Sequence, residues 1–556
     1  MSGINGVWSI NQKIDLNQFN KMRDELTHRG PDDADTWLGE NDNIALGNRD
    51  LNLEYFNYQH KSIFFNKSVV ITGDCDIDNL DELKIELESL GHKFRTNFYL
   101  EVLVKAWKQW KTDLPKYLKG NFALAIWDNI DKTLFLARDR FGTKPLYFHS
   151  SEHEFIFASE LKALISWKPE LKNINFSAFA DYFTYRYIPS PCTIYEKVYK
   201  LPPAYCMIVD SNLVMKQWQY WDLAGIDIKC REKDVEQIVS ELLNKSLQNK
   251  TNIKTPIGSL LSGGYDSSAI VCLFSEKNYK FNTFSIGFDN WQGSEHEYAK
   301  IVADHCGQKL YSKVLDEGSL SVLHKLVHYY DEPIADISII PSYFVFQMAS
   351  ELNKTVLSGD GADEIFAGYT WHAENMNLLY SGFLSSIFKI QNKKAFSVEE
   401  YSKAMAMGHL RRSELLNLMS DDLHAKIPIE SDWFYKQHYV QSLPNLKRFQ
   451  YLDIKTFMSE LILTKVDRAS MANSVQVKTP FLDHELVEFL FSAPVKKVFN
   501  KHQTKQVLYN LIKDKLPYQI LQRKKQGFVG PDSYYFNSRF YQNIINDSKL
   551  IKDQIL

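Results

Sequence analysis

From about Lys233 the chain alternates helix-type and strand-type hydrophobic runs, and this alternation constrains the fold more than any other feature. Segment 235–250 (VEQIVSELLNKSLQNK) repeats apolar residues at helical spacing, 257–261 (IGSLL) is a short apolar strand-type run, and 267–276 (SSAIVCLFSE) is helical again. The strand-type run 281–288 (FNTFSIGF) and the helix-type run 297–307 (EYAKIVADHCG) continue the series. Strands linked through helices imply a parallel sheet wrapped on its faces. After Tyr369 helical patterning dominates.

The first 205 residues read differently. VVITGD (69–74), FALAIW (122–127), TLFLAR (133–138) and FIFAS (155–159) are strand-type runs bounded by turn residues. Helix-type segments 80–91 and 100–110 lie between them, which predicts a layered α+β domain. At 556 residues the chain exceeds a single core, so two domains are expected. Their expected extents are 1–210 and 233–556, with a linker at 211–232.

A formal net charge of −3 gives no electrostatic reason to expect nucleic acid or an anionic membrane as partner. No run approaches the roughly 20 apolar residues of a membrane span, and the start MSGINGVWSI lacks the pattern of a signal peptide. The six cysteines are scattered without a CxxC pair, as expected of reduced thiols in a cytoplasmic protein.

The most informative segment is Leu261-Ser262-Gly263-Gly264-Tyr265-Asp266-Ser267-Ser268, placed where a parallel strand ends and a helix begins. Ligands bind α/β sheets at the carboxyl ends of strands. Glycines let backbone N–H groups approach phosphate oxygens, and the helix start favours negative charge. Ser262, Ser267 and Ser268 add hydroxyls, while Asp266 suits a Mg²⁺ ion bridging pyrophosphate. The GK[ST] ending of a Walker loop is missing. A second glycine turn, Leu357-Ser358-Gly359-Asp360-Gly361-Ala362-Asp363-Glu364, carries three acids, which is costly unless they face water or cations.

SGGYDSS resembles the pyrophosphate loop of the asparagine synthetase family. Further pieces follow in that family's order: Phe284-Ser285-Ile286-Gly287-Phe288, Asp331-Glu332-Pro333, the SGDGADE turn, Asp467-Arg468-Ala469-Ser470-Met471, Pro480-Phe481-Leu482-Asp483, and Lys524-Lys525-Gln526-Gly527-Phe528. The resemblance implies an α/β adenine-nucleotide α-hydrolase-like (PP-loop) synthetase domain with a helical C-terminal part, using ATP and Mg²⁺. It implies that Leu261 and Ile286 line the adenine pocket, that Ser358 and Gly359 touch the nucleotide, and that Asp266 and Asp363 hold the metal. Asp360 is expected to face the acyl acceptor, and Lys525 to stabilise charge on an acyl-adenylate. A small-molecule carboxylate and an amine or ammonia are the expected substrates, and a homodimer is implied by resemblance alone.

His28-Arg29-Gly30-Pro31-Asp32 and Arg138-Asp139-Arg140-Phe141-Gly142 with Lys144-Pro145-Leu146-Tyr147 resemble the same family's N-terminal-nucleophile glutaminase domain, an αββα fold. That family exposes a cysteine at position two; here the residue is Ser2, a weaker nucleophile than a thiol. Thr72-Gly73-Asp74 stands where the family has an NGE segment, and Tyr99 where it has an aspartate for the glutamine α-amino group. Arg49 alone is expected to remain, as the carboxylate clamp. The expectation is a degenerate glutaminase.

The nitrogen source then stays open among free ammonium, an amine on the substrate as in the related β-lactam synthetases, and a peptide terminus as in lasso-peptide cyclases. Asp360 keeps the acid of the asparagine synthetases, which weakens the ring-closing reading. Gln476 and Lys478 stand where the family has glutamate and arginine in its VEARVP stretch, which points to altered substrate choice. Ordinary glutamine-dependent asparagine synthesis and a non-catalytic scaffold are the remaining alternatives.

Overall fold

The computed structural model describes residues 2–10, 12–53, 58, 62–229, 231–277, 279–289, 291–374, 376, 397–405, 410, 412–428, 430–500, 503–523, 526–528 and 530–531. The N-terminal part is built from two six-stranded antiparallel sheets. One runs in the order Val198–Lys200, Tyr147–Ser150, Glu154–Ala158, Ser2–Ser9, Ile44–Asp50, Asp33–Leu38. The other runs Met215–Gln219, Tyr205–Val209, Thr133–Arg138, Gly120–Asp128, Val69–Ile77, Ile63–Phe65.

Strand alternation sorts the side chains into layers. In Gly120–Asp128, Ala123, Ala125 and Trp127 pack with Ile4, Trp8 and Leu46 of the opposite sheet. Phe122, Leu124 and Ile126 point the other way, onto Leu100, Leu103 and Trp107 of the helix Tyr99–Trp110. On the far side, Val7 packs with Phe19 and Met22 of the helix Leu16–Asp24 and with Leu161 and Leu164. Both sheet faces are therefore covered, which explains the nearly continuous apolar runs in the sequence. The layers are helix, sheet, sheet, helix, as expected.

One boundary differs. Met215–Gln219 pairs antiparallel with Tyr205–Val209, so the second sheet continues into the stretch 211–232 expected as linker. This strand lies at the sheet edge and is largely exposed, so its sequence (MKQWQ) lacks the hydrophobic alternation that marks a strand.

The C-terminal part holds a five-stranded parallel sheet in the order Lys309–Leu315, Asn282–Phe288, Ile257–Leu260, Thr355–Leu357, Gln476–Lys478. Val235, Val239, Leu243 and Leu247 form one stripe of the helix Val235–Lys250 and enter a core with Ala269, Leu273, Ala299 and Leu486. A second core packs Phe284, Ile286, Val345, Phe346 and Ala469. Helical segments Asn445–Leu452, Asp453–Ile462 and Leu463–Met471 follow one another without a break, the middle one wound as a π-helix. None of the described helices is long and apolar enough to cross a membrane.

The two parts meet at a buried ionic network. Arg29 Nη1 donates to Glu160 at 2.9 Å and to Asp467 at 2.7 Å, and Nη2 donates to Asp467 at 2.8 Å and Asp74 at 3.0 Å. Arg468 pairs with Glu160, and His28 reaches the same carboxylate at 2.9 Å. Buried charges persist only when paired in this way. The HRGPD and DRASM segments are thus two halves of one contact.

Candidate active site

The first glycine turn leaves the strand Ile257–Leu260 and enters the helix Tyr265–Ser275. Gly263 sits at φ +72°, and a Cβ there would come within 2.5–2.8 Å of Tyr298 and the Ala299 nitrogen, so only glycine fits. The turn is braced internally: the Ser262 amide donates to Ser267 Oγ at 3.0 Å, and the Gly264 amide donates to Ser262 Oγ at 3.2 Å. Ser268 Oγ, in the first helical turn, is buried and has no hydrogen-bond partner among the described residues. A buried hydroxyl at a helix N-terminus is suited to a phosphate oxygen.

The second turn follows the strand Thr355–Leu357 and leads into the helix Ala362–Ile365. The Ser358 amide donates to the Lys478 carbonyl at 2.9 Å, and its hydroxyl donates to Asp360. A Cβ on Gly359 would meet Asp266 Cβ at 2.9 Å and the Ser267 amide nitrogen at 3.0 Å. The two glycine turns therefore touch.

That contact places Asp266 beside Asp363, and Lys505 joins them. Its ammonium pairs with both Asp266 carboxylate oxygens and lies 2.8 Å from Asp363. The two carboxylates raise the Lys505 pKa against the opposing effect of burial. Lys505 adopts φ +52° just before the helix Gln506–Ile512. Sequence reading missed it, because no spacing pattern connects residue 505 to residue 266.

These residues line a cavity of about 140 Å³ together with Ser262, Glu295 and Arg523. Arg523 donates to the Ser262 carbonyl at 3.0 Å and to Glu295 at 2.9 Å, and lies 4.4 Å over the Tyr298 ring. Burial outweighs Arg523 and pushes Glu295 up to about 7. A wall with two cations, two adjacent carboxylates and a helix N-terminus suits a polyphosphate carried with a divalent ion. Among the described residues no group of three His, Cys, Asp or Glu could hold a metal alone. Two carboxylates plus phosphate oxygens and water is the set that Mg²⁺ takes in such sites, so Asp266 and Asp363 fit the expected metal, which would neutralise phosphate charge when bound.

The expected adenine-pocket residues divide differently. Leu261 and Ile286 are 2% and 1% exposed and belong to separate hydrophobic clusters, and neither lines the cavity. Asp360 is held up in pKa by burial, against Lys465 and the Ser358 hydroxyl. Four residues further along, Glu364 is buried, accepts the Tyr369 hydroxyl at 2.6 Å, and is pushed up to about 8 by burial and Asp363. Lys525 lies outside the described residues.

In the N-terminal part, Ser2 is 1% exposed. Its amide donates to Asp74 at 3.1 Å, its hydroxyl donates to Asp50 at 2.9 Å, and its carbonyl accepts from Arg29 at 3.2 Å. Asp50 also accepts from Ser62 at 3.0 Å, and Thr72 accepts from Asn48 at 3.0 Å. Gly73 faces away, where a Cβ would meet Cys75 Sγ at 2.5 Å. Tyr99 is buried in the cluster behind the second sheet.

Arg49 does not take the expected place. Strand register pairs Ser2 with Asp50 and Gly3 with Arg49, and neighbours on a strand face opposite ways. The Arg49 side chain instead donates to the Gly30 carbonyl at 3.1 Å and lies 3.6 Å from Asp24. The residue facing Ser2 is a carboxylate, where a clamp for an α-carboxylate needs a cation.

Comparison with known proteins identifies the families of the two halves. The asparagine synthase family matches residues 239–555, and the glutamine amidotransferase domain family matches residues 1–221. The chain is 29% identical over 572 residues to "Asparagine synthetase [glutamine-hydrolyzing] 1" of Bacillus subtilis (strain 168), covering 97% of this chain and 89% of that one. It is 29% identical over 519 residues to "Putative asparagine synthetase [glutamine-hydrolyzing] 2" of Methanocaldococcus jannaschii, covering 86% and 100%. A putative asparagine synthetase of Mycobacterium tuberculosis (strain ATCC 25618 / H37Rv) is 27% identical over 553 residues, covering 92% and 84%. With its amidotransferase-type first half and its two touching glycine turns, the chain belongs to the asparagine synthase family and is an ATP-dependent ligase.

Proposed function

We propose that this enzyme forms an amide through an acyl-adenylate, releasing AMP and pyrophosphate, and takes its nitrogen from ammonia or a free amine rather than from glutamine. A substrate carboxylate oxygen attacks the α-phosphorus of ATP and pyrophosphate leaves. The nitrogen nucleophile then attacks the acyl carbon and AMP leaves.

In this reading the turn at 261–264 and the helix start hold the phosphates, and Lys505 and Arg523 offset the charge of the departing pyrophosphate. Asp360 faces the acyl substrate, and Lys525 remains assigned from sequence. Positioning and charge neutralisation do most of the catalysis.

The observation that carries the nitrogen assignment is Asp50, whose carboxylate accepts the Ser2 hydroxyl at 2.9 Å. A carboxylate there repels the α-carboxylate of glutamine. Thr72 supplies no carboxamide, and Tyr99 is packed in the core. The test is incubation with Mg-ATP and aspartate, adding ammonium or glutamine separately, while following pyrophosphate, AMP and asparagine. Asparagine from ammonium alone supports the reading, and equal turnover with glutamine refutes it.

A second reading, closure of an amide within one substrate or peptide, draws on the Tyr369–Glu364 pair. Glu364, with its pKa near 8, is suited to accept a proton from a substrate amine. An enzyme silent with aspartate yet releasing pyrophosphate with an amino-bearing acid favours this reading.

A further inference from the structure

We propose that Cys272 and Cys306 form a redox modification site, a dithiol that a peroxide closes to a disulfide and whose closure weakens nucleotide binding at the first glycine turn. In the sequence they stand 34 residues apart (306 − 272) and form no motif. The fold brings them together. Cys272 lies in the helix Tyr265–Ser275, and Cys306 caps the helix His296–His305.

Hydrogen bonds hold the two helix ends against each other. Gln308 Nε2 donates to Ser275 Oγ at 3.1 Å and to the Cys306 carbonyl at 3.2 Å. The Lys515 carbonyl accepts the Cys272 thiol at 3.4 Å, and His305 Nε2 lies 3.0 Å from the same oxygen. The Cys306 thiol completes the arrangement, in hydrogen-bond contact with Cys272, and both are free thiols here. Thiols in contact reach the S–S bond length of about 2 Å by side-chain rotation.

The two sulfurs differ in a way that assigns their roles. Cys272 is 6% exposed, whereas Cys306 is half-buried at the margin of the same core. The hydrogen bond from Cys272, with help from Ser275 and against burial, lowers the Cys306 pKa. That bond and burial raise Cys272, and burial raises Cys75, Cys192 and Cys206. Cys306 is therefore the thiol that a peroxide meets as thiolate, and Cys272 the one that resolves. The Cys306 thiolate attacks one oxygen of hydrogen peroxide, the O–O bond breaks, and the departing hydroxide takes up the thiol proton as water. The Cys272 sulfur then attacks the sulfenic sulfur of Cys306. The S–O bond breaks, and the hydroxyl leaves with the Cys272 proton as a second water. Two thiols lose two electrons and the peroxide gains them.

Closure reaches the nucleotide site through Lys515. A disulfide has no S–H, so the Lys515 carbonyl loses its Cys272 donor. From Lys515 the chain enters the short helix Tyr518–Leu521, where the Leu521 carbonyl accepts the Tyr265 hydroxyl, and then presents Arg523 to the cavity wall. Loss of that donor loosens the segment that carries Arg523 to the Ser262 carbonyl. This coupling rests on the reading, under Proposed function, that the turn at 261–264 holds the phosphates; formation of the disulfide does not.

The test treats the reduced full chain with hydrogen peroxide and maps disulfides by mass spectrometry of peptides alkylated without reduction. Equilibrium dialysis measures Mg-ATP affinity before and after. The expected result is a linked Cys272–Cys306 peptide that dithiothreitol separates, with Cys75 and Cys206 still reduced. Oxidised protein should bind Mg-ATP roughly two- to tenfold more weakly, the effect of one neutral hydrogen bond. Cys306→Ser, which keeps the Cys272 bond to Lys515, should show the same affinity with and without peroxide. Absence of the linked peptide overturns the modification site, and a linked peptide with unchanged affinity overturns the coupling. A linked peptide in a chain that binds no Mg-ATP even when reduced supports the site and refutes the phosphate reading instead.

Discussion

Replacing Lys505 with methionine tests how the two glycine turns are held together. The Lys505 side chain is 5% exposed, while those of Asp266 and Asp363 are 25% and 21% exposed. Removing one partner of a fully buried ion pair costs about 3–5 kcal/mol, and partial exposure lowers this to about 2–3 kcal/mol. That corresponds to a roughly 30- to 150-fold increase in the unfolding constant. Urea denaturation in the presence of a chelator should show the loss directly. Adding Mg²⁺ should stabilise Lys505→Met more than the parent, because the metal restores positive charge between carboxylates that the variant leaves uncompensated. Equal denaturation midpoints with chelator, or equal magnesium stabilisation of both proteins, would refute this account of the site.

Gly359→Val should cut pyrophosphate release about tenfold or more, since its side chain must displace Asp266 and Ser267; initial rates with Mg-ATP check this. Ser2→Cys alone should produce no glutaminase activity, because Asp50 and Thr72 remain; glutamate release is the readout. Asp181, which accepts the Trp433 indole N–H at 3.0 Å, is pushed up to about 7 by burial from its ordinary 3.8. On raising the pH from about 4 to 7 the unfolded state releases this proton first, so the parent loses stability across that window. Asp181→Asn should not share this loss, which is on the order of 3 kcal/mol, and urea midpoints at both ends of the window test it.

What the sequence made legible was local. The glycine turns, their acids and the strand–helix alternation are read within a few residues, because turn geometry and phosphate binding impose short-range rules. Lys505 was invisible because its partners lie 239 and 142 residues earlier (505 − 266 and 505 − 363). The Arg49 assignment failed by one position, since pairing register decides which of two adjacent side chains faces Ser2, and register is a property of the assembled sheet. The edge strand Met215–Gln219 escaped because its exposed residues need no apolar pattern. The meeting of Arg29 with Asp467 gives two sequence motifs of separate domains a common physical reason, which only their contact reveals.

Glutamate release from glutamine by the unmodified full chain is the most direct measurement of the central claim, because it requires no knowledge of the acyl substrate. The account predicts no release above the enzyme-free rate, with or without Mg-ATP, because the side chain that faces the Ser2 hydroxyl is the Asp50 carboxylate, where the clamp needs a cation. Steady turnover at rates near the ordinary enzymatic range of about 1 s⁻¹ or more would contradict it.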